Sequence, residues 1–224
     1  MKILAESNEY EQLGILITGG KAPDYKKIGK ILEMGKYIVA ADSGLDTADD
    51  WGIRPNKIIG DMDSLSNKEK LKHYSKDEVT IYGRDKDLTD TEIGLEWLWK
   101  RGIDTPCIIG GGGGRMDHFI GILSIFHRNP SPYLWITHSA LVLEIKKKVR
   151  IVVETGKKVS FFPLGCDTVQ MQSEGLKWPL DNVVWKIGSA GISNETTADT
   201  VSVTVKNGRA IMVSSLEELE FGNR

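Results

Sequence analysis

LGILITGGKAPDYKKIGKILEMGKYIVAADSG, residues 13–44, contains a complete strand, helix, strand unit. "LGILI" is a short unbroken apolar run, as a strand buried on both faces requires. After a Gly-Gly turn, "PDYKKIGKILEMG" has helical periodicity, with Pro23 near its start and Gly35 beyond its end. "KYIVAADSG" then reads as a second strand. A strand that leaves through a helix and returns as a strand builds a parallel pair, and a chain that repeats the unit builds an open α/β sheet.

The repetition continues. "LDTADDWG" reads as a short helix, "NKIIGD" as a third strand, "SNKEKLKHY" as a helix whose Ser66 and Glu69 fit a capping box, and "EVTIYG" as a strand. "LTDTEIGLEWLWKRG" is a helix closed by Gly102, "TPCIIG" a buried strand, "RMDHFIGILSIFHR" another helix, and "YLWITHS" a sixth strand. From about residue 140 β-branched segments separated by turn residues take over, and Asn-Gly in "KNGR", residues 206–209, predicts a hairpin between "TVSVTV" and "AIMVS". The expected fold is α/β: a Rossmann-like, mostly parallel α/β domain over residues 1–148, then a smaller antiparallel β-sandwich domain over 149–224. The boundary falls in the basic run "KKK".

Composition narrows the function classes. A formal net charge of -2 over 224 residues gives no electrostatic reason to expect nucleic acid or an anionic membrane. Apolar runs fall far short of the roughly 20 residues a spanning helix needs. "MKILAESNEYEQ" turns polar too early for a signal peptide, so a cytoplasmic protein is expected. Cys107 and Cys166 lie in apolar stretches without metal-ligand spacing and are expected as buried free thiols.

Acidic residues gather at the expected carboxyl ends of the strands, where open α/β sheets bind ligands. Asp42 ends the second strand, Asp61 and Asp63 follow the third in "GDMDS", and Asp85, Asp87 and Asp90 follow the fourth in "GRDKDLTDTE". If "GDMDS" stays extended, Asp61 and Asp63 point the same way and Met62 points inward. Carboxylates held together repel unless a cation compensates them, and magnesium, which takes oxygen ligands and leaves positions for phosphate, is the cation expected. The plainer reading of Asp85, Asp87 and Asp90, as helix caps and first-turn acids, stays open beside it. "IIGGGGGRMDHF", residues 108–119, places five glycines between a strand and a helix, a setting suited to an anion although no named nucleotide motif is matched. Arg115 beside that loop suits phosphate oxygens, and Asp117 either fixes the arginine or caps the helix. "TGGKAP", with Gly20, is a second such turn. His118 reads as a helix-face residue rather than a base, and Trp97 and Trp99 as packing residues.

In order and spacing, "ADSGLD", "RPNKIIGDMDSL", "DKDLTDTEIGLEWL" and "GGRMDH" resemble thiamine pyrophosphokinases, and "GLKWPL" and "GISNE" resemble that family's C-terminal β domain. Ser43 and Asn56 stand where the family often has glycine and aspartate. The resemblance implies transfer of diphosphate from ATP to the hydroxyl of thiamine, giving thiamine diphosphate and AMP. It also implies a homodimer with active sites between subunits. On that footing the metal ligands are Asp61, Asp63, Asp87 and Asp90, which with Arg115 form the catalytic set. Gly20, Asp42, Lys86, Gly111, Gly112, Gly113, Gly114, Arg115 and Asp117 serve ATP. Trp178, Ser193, Asn194 and Glu195 serve thiamine, with Trp178 as a core residue and 193–195 as a turn being the plainer alternatives. A metal-independent nucleotide or thiamine-diphosphate sensor and a nucleotidyltransferase are the competing functions.

Overall fold

The structure is a computed structural model that describes residues 1–4, 13–83, 85–165, 168–181 and 183–222. Cys166 lies outside them; Cys107 is buried and free, as expected. In chain order the elements are β1 (Lys2–Leu4), β2 (Leu13–Ile17), α1 (Tyr25–Glu33), β3 (Gly35–Ala41), α2 (Gly44–Asp50), β4 (Lys57–Gly60), a 3-10 helix (Lys68–His73), β5 (Val79–Ile81), α3 (Asp90–Trp99), β6 (Thr105–Ile109), α4 (Met116–Ile125) and β7 (Leu134–Ile136). Then come β8 (Ala140–Ile145), β9 (Lys148–Val152), β10 (Lys158–Leu164), β11 (Thr168–Glu174), β12 (Val184–Lys186), β13 (Gly191–Glu195), β14 (Thr200–Asn207), β15 (Arg209–Ser215) and β16 (Glu220–Gly222). No helix among the described residues is long and apolar enough to cross a membrane.

The α/β half has the expected parallel sheet, in the order β7-β6-β2-β3-β4-β5, with every neighbouring pair parallel. β2 and β6 are buried at every position, as strands covered on both faces must be. The chain builds outward from β2 through β3, β4 and β5, then crosses back to lay β6 and β7 on the other side. The carboxyl ends of β2 and β6 therefore form the topological switch point, where an open α/β sheet has its crevice.

This sheet does not stop at the end of the parallel half. β8 pairs antiparallel with β7, and β15, β10 and β13 extend the same ladder to ten strands. The opposing layer is a six-stranded sheet, β12-β11-β14-β9-β1-β16. Between the layers lie Val149, Ile151, Val201 and Val203 from one side and Leu143, Phe161, Ala210 and Met212 from the other. β9, β10 and β14 alternate in burial, as strands with one face on a sandwich core do, whereas β8 is buried along nearly its whole length. The chain's first strand, β1, sits in the second layer between β9 and β16.

Two local expectations fail. Asn207-Gly208 does turn the chain, with Gly208 at φ +80, but β14 and β15 do not pair with each other. β14 lies between β11 and β9 and β15 between β10 and β8, so the turn is a corner between layers. Ser66 and Glu69 do not make a capping box either. Asn67 caps the short 3-10 helix by accepting the Glu69 N–H, while Ser66 donates its hydroxyl and its N–H to Asp46.

Candidate active site

The glycine turns after β2 and β6 meet at the switch point and are joined through their backbones. Thr18 N–H donates to Ile109 O at 2.9 Å, Gly111 N–H to Gly19 O at 2.7 Å and Lys21 N–H to Gly112 O at 2.8 Å. Gly111 has φ +70, a backbone that strains any larger residue, and a Cβ there would lie 2.2 Å from Ile122 Cδ1, which would have to move aside. From below, Trp135 Nε1–H donates to Gly110 O at 2.8 Å and Phe119 packs on the indole. Gly113 and Gly114 stand exposed at the rim, and Gly20 faces Gly112 across the seam. Arg115, the N-cap of α4, is exposed and its guanidinium is engaged by Asp117, whose carboxyl it pulls down to about 2. Asp117 performs both roles open to it: it fixes the arginine, and its Oδ1 accepts the His118 N–H at 3.1 Å in the first turn of α4.

The acids occupy the next three strand ends. Asp42 follows β3 with φ +47, and its Oδ1 accepts the Met62 N–H at 3.1 Å. A Cβ on Gly60 would stand 2.0 Å from that same oxygen, so the approach of the two loops requires glycine. "GDMDS" is not extended: Met62 is left-handed at φ +62, and Asp61 Oδ1 accepts the Asp63 N–H at 2.9 Å, closing a tight Asx turn. Met62 is nonetheless buried. Asp90 opens α3, and Lys86 Nζ donates to it at 2.6 Å. Thr91, the next residue, meets the Thr18 hydroxyl at 3.0 Å, which ties the start of α3 to the glycine turn after β2.

These placements bring Asp42, Asp90 and Asp61 into one electrostatic neighbourhood. Burial, then the adjoining Asp90 carboxyl, then the charge of Asp61 push the Asp42 carboxyl up to about 6, against the pull of the Met62 N–H. Asp63 is exposed beside Asp61, and Asp85 and Asp87 are exposed in the segment before α3. Among the described residues no three His, Cys, Asp or Glu side chains converge closely enough to enclose an ion by themselves. The donors are carboxylate oxygens, of which the Asp42 carboxyl is the one pushed up by its neighbours, and the Lys86 ammonium stands against them. That chemistry fits a hard divalent cation whose remaining positions are filled by water and phosphate.

In the β half, Trp178 is 54% exposed and so is not a core residue, and Lys177 Nζ lies 4.9 Å from its ring centroid. Its backbone is clamped by Asn194, which is buried on β13. Asn194 Nδ2–H donates to Trp178 O at 2.6 Å, while its Oδ1 accepts from Trp178 N–H and Glu195 N–H. Ser193 is left-handed at φ +61, its N–H bonded to Ser160 Oγ. Lys158, then Lys177, hold the Glu195 carboxyl below the usual range. "GLKWPL" and "GISNE" are thus neighbours in space.

Two family models cover the chain, "Thiamin pyrophosphokinase, catalytic domain" over residues 28–136 and "Thiamin pyrophosphokinase, vitamin B1 binding domain" over 142–210. The chain belongs to the thiamine pyrophosphokinase family. As a member it is an enzyme, a transferase of the diphosphokinase class. The thiamine pyrophosphokinase of Bacillus subtilis is 28% identical over 191 residues, covering 80% of this chain and 87% of that one. Thiamine pyrophosphokinase 1 of rice, Oryza sativa, is 25% identical, over 67% of this chain and 62% of that protein. Among solved structures, the Bacillus subtilis enzyme superposes with a TM-score of 0.76 at 23% identity, over 92% of this chain and 99% of that one. Yeast thiamin pyrophosphokinase gives 0.69 at 19%, over 93% and 87%.

Sequence reasoning missed Thr18, Thr91 and His138. The threonine pair is 73 positions apart with no local signature. His138 follows β7 with its ring against Gly112 and Gly113, and only the sheet order places it there.

Proposed function

We propose that this chain transfers the terminal diphosphate of ATP to the hydroxyl of thiamine, with magnesium, giving thiamine diphosphate and AMP. The single observation that carries the reading is the meeting of Asp42, Asp61 and Asp90, with Lys86, beside paired glycine turns at the switch point. Asp61, Asp63, Asp87 and Asp90 would hold magnesium, which when bound neutralises charge on the transferring oxygens. The glycine rim, Gly111 to Gly114, admits the polyphosphate, and Lys86 and Arg115 offset charge on the departing AMP. The thiamine oxygen attacks the β-phosphorus, the bond from that phosphorus to the α–β bridging oxygen breaks, and the hydroxyl proton passes to a carboxylate. Asp42, pushed up to about 6, is suited to take it.

Exposed Trp178 offers a π-face for the thiazolium cation, and Ser193, Asn194 and Glu195 offer polar contacts to the aminopyrimidine. We place the enzyme in the cytoplasm as a homodimer whose sites lie between the α/β half of one subunit and the β half of its partner. Exposed Met116, Phe119 and Ile120 on α4 and exposed Ile192 on β13 support that pairing. Phosphorus NMR of the chain with ATP, magnesium and thiamine tests the proposal, beside a control without thiamine. Thiamine-dependent AMP and thiamine diphosphate are expected. Released diphosphate with a nucleotidyl product would make it a nucleotidyltransferase, and intact ATP with metal-independent binding would make it a sensor.

A further inference from the structure

The Thr89 capping box of α3 uses only one oxygen of Glu92. Glu92 Oε2 accepts from Thr89 N–H at 2.8 Å and from Thr89 Oγ1–H at 2.7 Å, while Glu92 N–H donates to Thr89 Oγ1. The other oxygen, Oε1, is held by Arg128 Nη2 at 2.5 Å. Arg128 comes from the segment between α4 and β7, and that segment is fastened to the antiparallel half. Arg209, the first residue of β15, donates from Nη1 to Arg128 O at 2.7 Å and from Nη2 to Phe126 O at 3.0 Å. Its Nε and Nη2 also grip buried Glu144 of β8, whose other oxygen accepts from Ser131 Oγ at 2.7 Å. Gly165 N–H, following β10, donates to His127 Nδ1.

A cation near a helix N-terminus opposes the helix dipole, so the dipole does not favour Arg128 in this place. What it adds is an anchor. The body of α3 rests on the sheet through contacts such as Trp97 on Tyr37, while its first turn, which carries Asp90 and follows the partly exposed residues 85–89, is tied to the glycine turn by Thr91 on Thr18 and to the β half through Glu92 and Arg128. We infer that Arg128 is a positioning residue for the acid site: it transmits the fixed geometry of the β half, through Glu92, to the turn that presents Asp90. The inference rests on the proposed function for its catalytic meaning, while its structural content stands on the hydrogen bonds alone.

The test compares the metal-free 224-residue chain with Arg128→Ala, Arg128→Lys and the Glu92→Gln, Arg128→Ala double variant. Hydrogen exchange at the Thr89, Glu92 and Ile93 amides should be about two- to fivefold faster in Arg128→Ala, the size of effect expected for loss of a half-exposed ion pair that leaves the capping box in place. Amides of β11 and β14 should be unchanged. The Mn2+ concentration that half-saturates the protein in the presence of ATP, followed by electron paramagnetic resonance, should rise about tenfold, with the thiamine dissociation constant within about twofold of the parent. Arg128→Lys should restore most of both effects, and the double variant should be no worse than Arg128→Ala. Unchanged exchange at residues 89–93, unchanged Mn2+ affinity, or acceleration spread equally over β11 and β14 would overturn the inference. A parent chain that folds but transfers no diphosphate would refute the proposed function instead, and the amide readout would still decide the anchor.

Discussion

Replacing Asp42 with asparagine should make the metal-free protein more stable. The carboxyl moves from 3.8 to about 6 on folding, because burial and then the neighbouring Asp90 disfavour its charge. At about 1.36 kcal/mol per tenfold in proton affinity, that is a penalty of about 3 kcal/mol on the ionised form. Half of the group still meets water, and screening reduces the figure to about 1–1.5 kcal/mol. The native state holds the proton more tightly than the unfolded chain. This contribution to stability therefore falls as pH rises between about 4 and 6, and the full penalty is present at pH 7. Asparagine removes the charge, keeps an Oδ1 for the Met62 N–H, and tolerates the left-handed backbone at φ +47. Urea and thermal unfolding in EDTA, from pH 5 to 8, supply the check. The variant should gain about 1–1.5 kcal/mol at pH 7, or about 2–6 °C for a chain of this size, and the gain should shrink toward pH 5. Asp46, Glu92, Asp117 and Glu195 are held below their usual values and change charge at lower pH, so they do not mimic the effect. A variant less stable than the parent at pH 7, with the same pH slope between 5 and 7, would refute the reasoning.

Asp61→Asn keeps the oxygen that accepts the Asp63 N–H, so the thermal midpoint should hardly move while diphosphate transfer falls at least about 100-fold; full turnover would remove Asp61 from the metal set. Trp178→Ala should weaken thiamine about tenfold in isothermal titration and leave ATP binding unchanged, since the ring is exposed and contributes little to the core. Asn194→Ala should cost about 2–3 kcal/mol by urea unfolding, because it leaves the Trp178 and Glu195 backbone groups without their amide partner; a loss under about 0.5 kcal/mol would show that the clamp adds nothing to stability.

The parallel half was legible because its signals are local. Continuous apolar runs, helix caps and glycine turns recur in order, and the acids fall at strand ends wherever the strands are placed. What escaped was decided across the chain. Ser66 has the spacing for a capping box, but Asp46, 20 residues earlier, takes its hydroxyl first. Asn207-Gly208 has the chemistry of a hairpin turn, but each flanking strand already has two partners in its own layer, and those ladders outweigh one pairing at the turn. β1 carries three residues and no turn signal of its own, and only β9 and β16 give it a place. Met62 was expected inside and is inside, yet by a left-handed turn rather than by strand alternation, because the Asp61 carboxylate offers the backbone a closer partner than a neighbouring strand.

Backbone strain gives a reading of the site that owes nothing to motif or spacing. Among the described residues the non-glycine residues at positive φ are Asp42, Met62 and Ser193. Each such residue costs about 1 kcal/mol or more and persists only where its surroundings enforce it, and Met has less local compensation there than Asp. All three lie within the segments the chemistry had singled out. Asp42 and Met62 are bonded to one another, so their strain is joint: it closes the loop after β3 on the loop after β4 and brings Asp42 into the neighbourhood of Asp61 and Asp90. Ser193 precedes Asn194, and its turn sets that buried amide against the Trp178 backbone. A fold selected for stability alone would relax all three positions and separate the carboxylates. Their persistence at the two places where a polyphosphate and a cationic ring would bind is the pattern expected when the native state holds strain to preorganise a site.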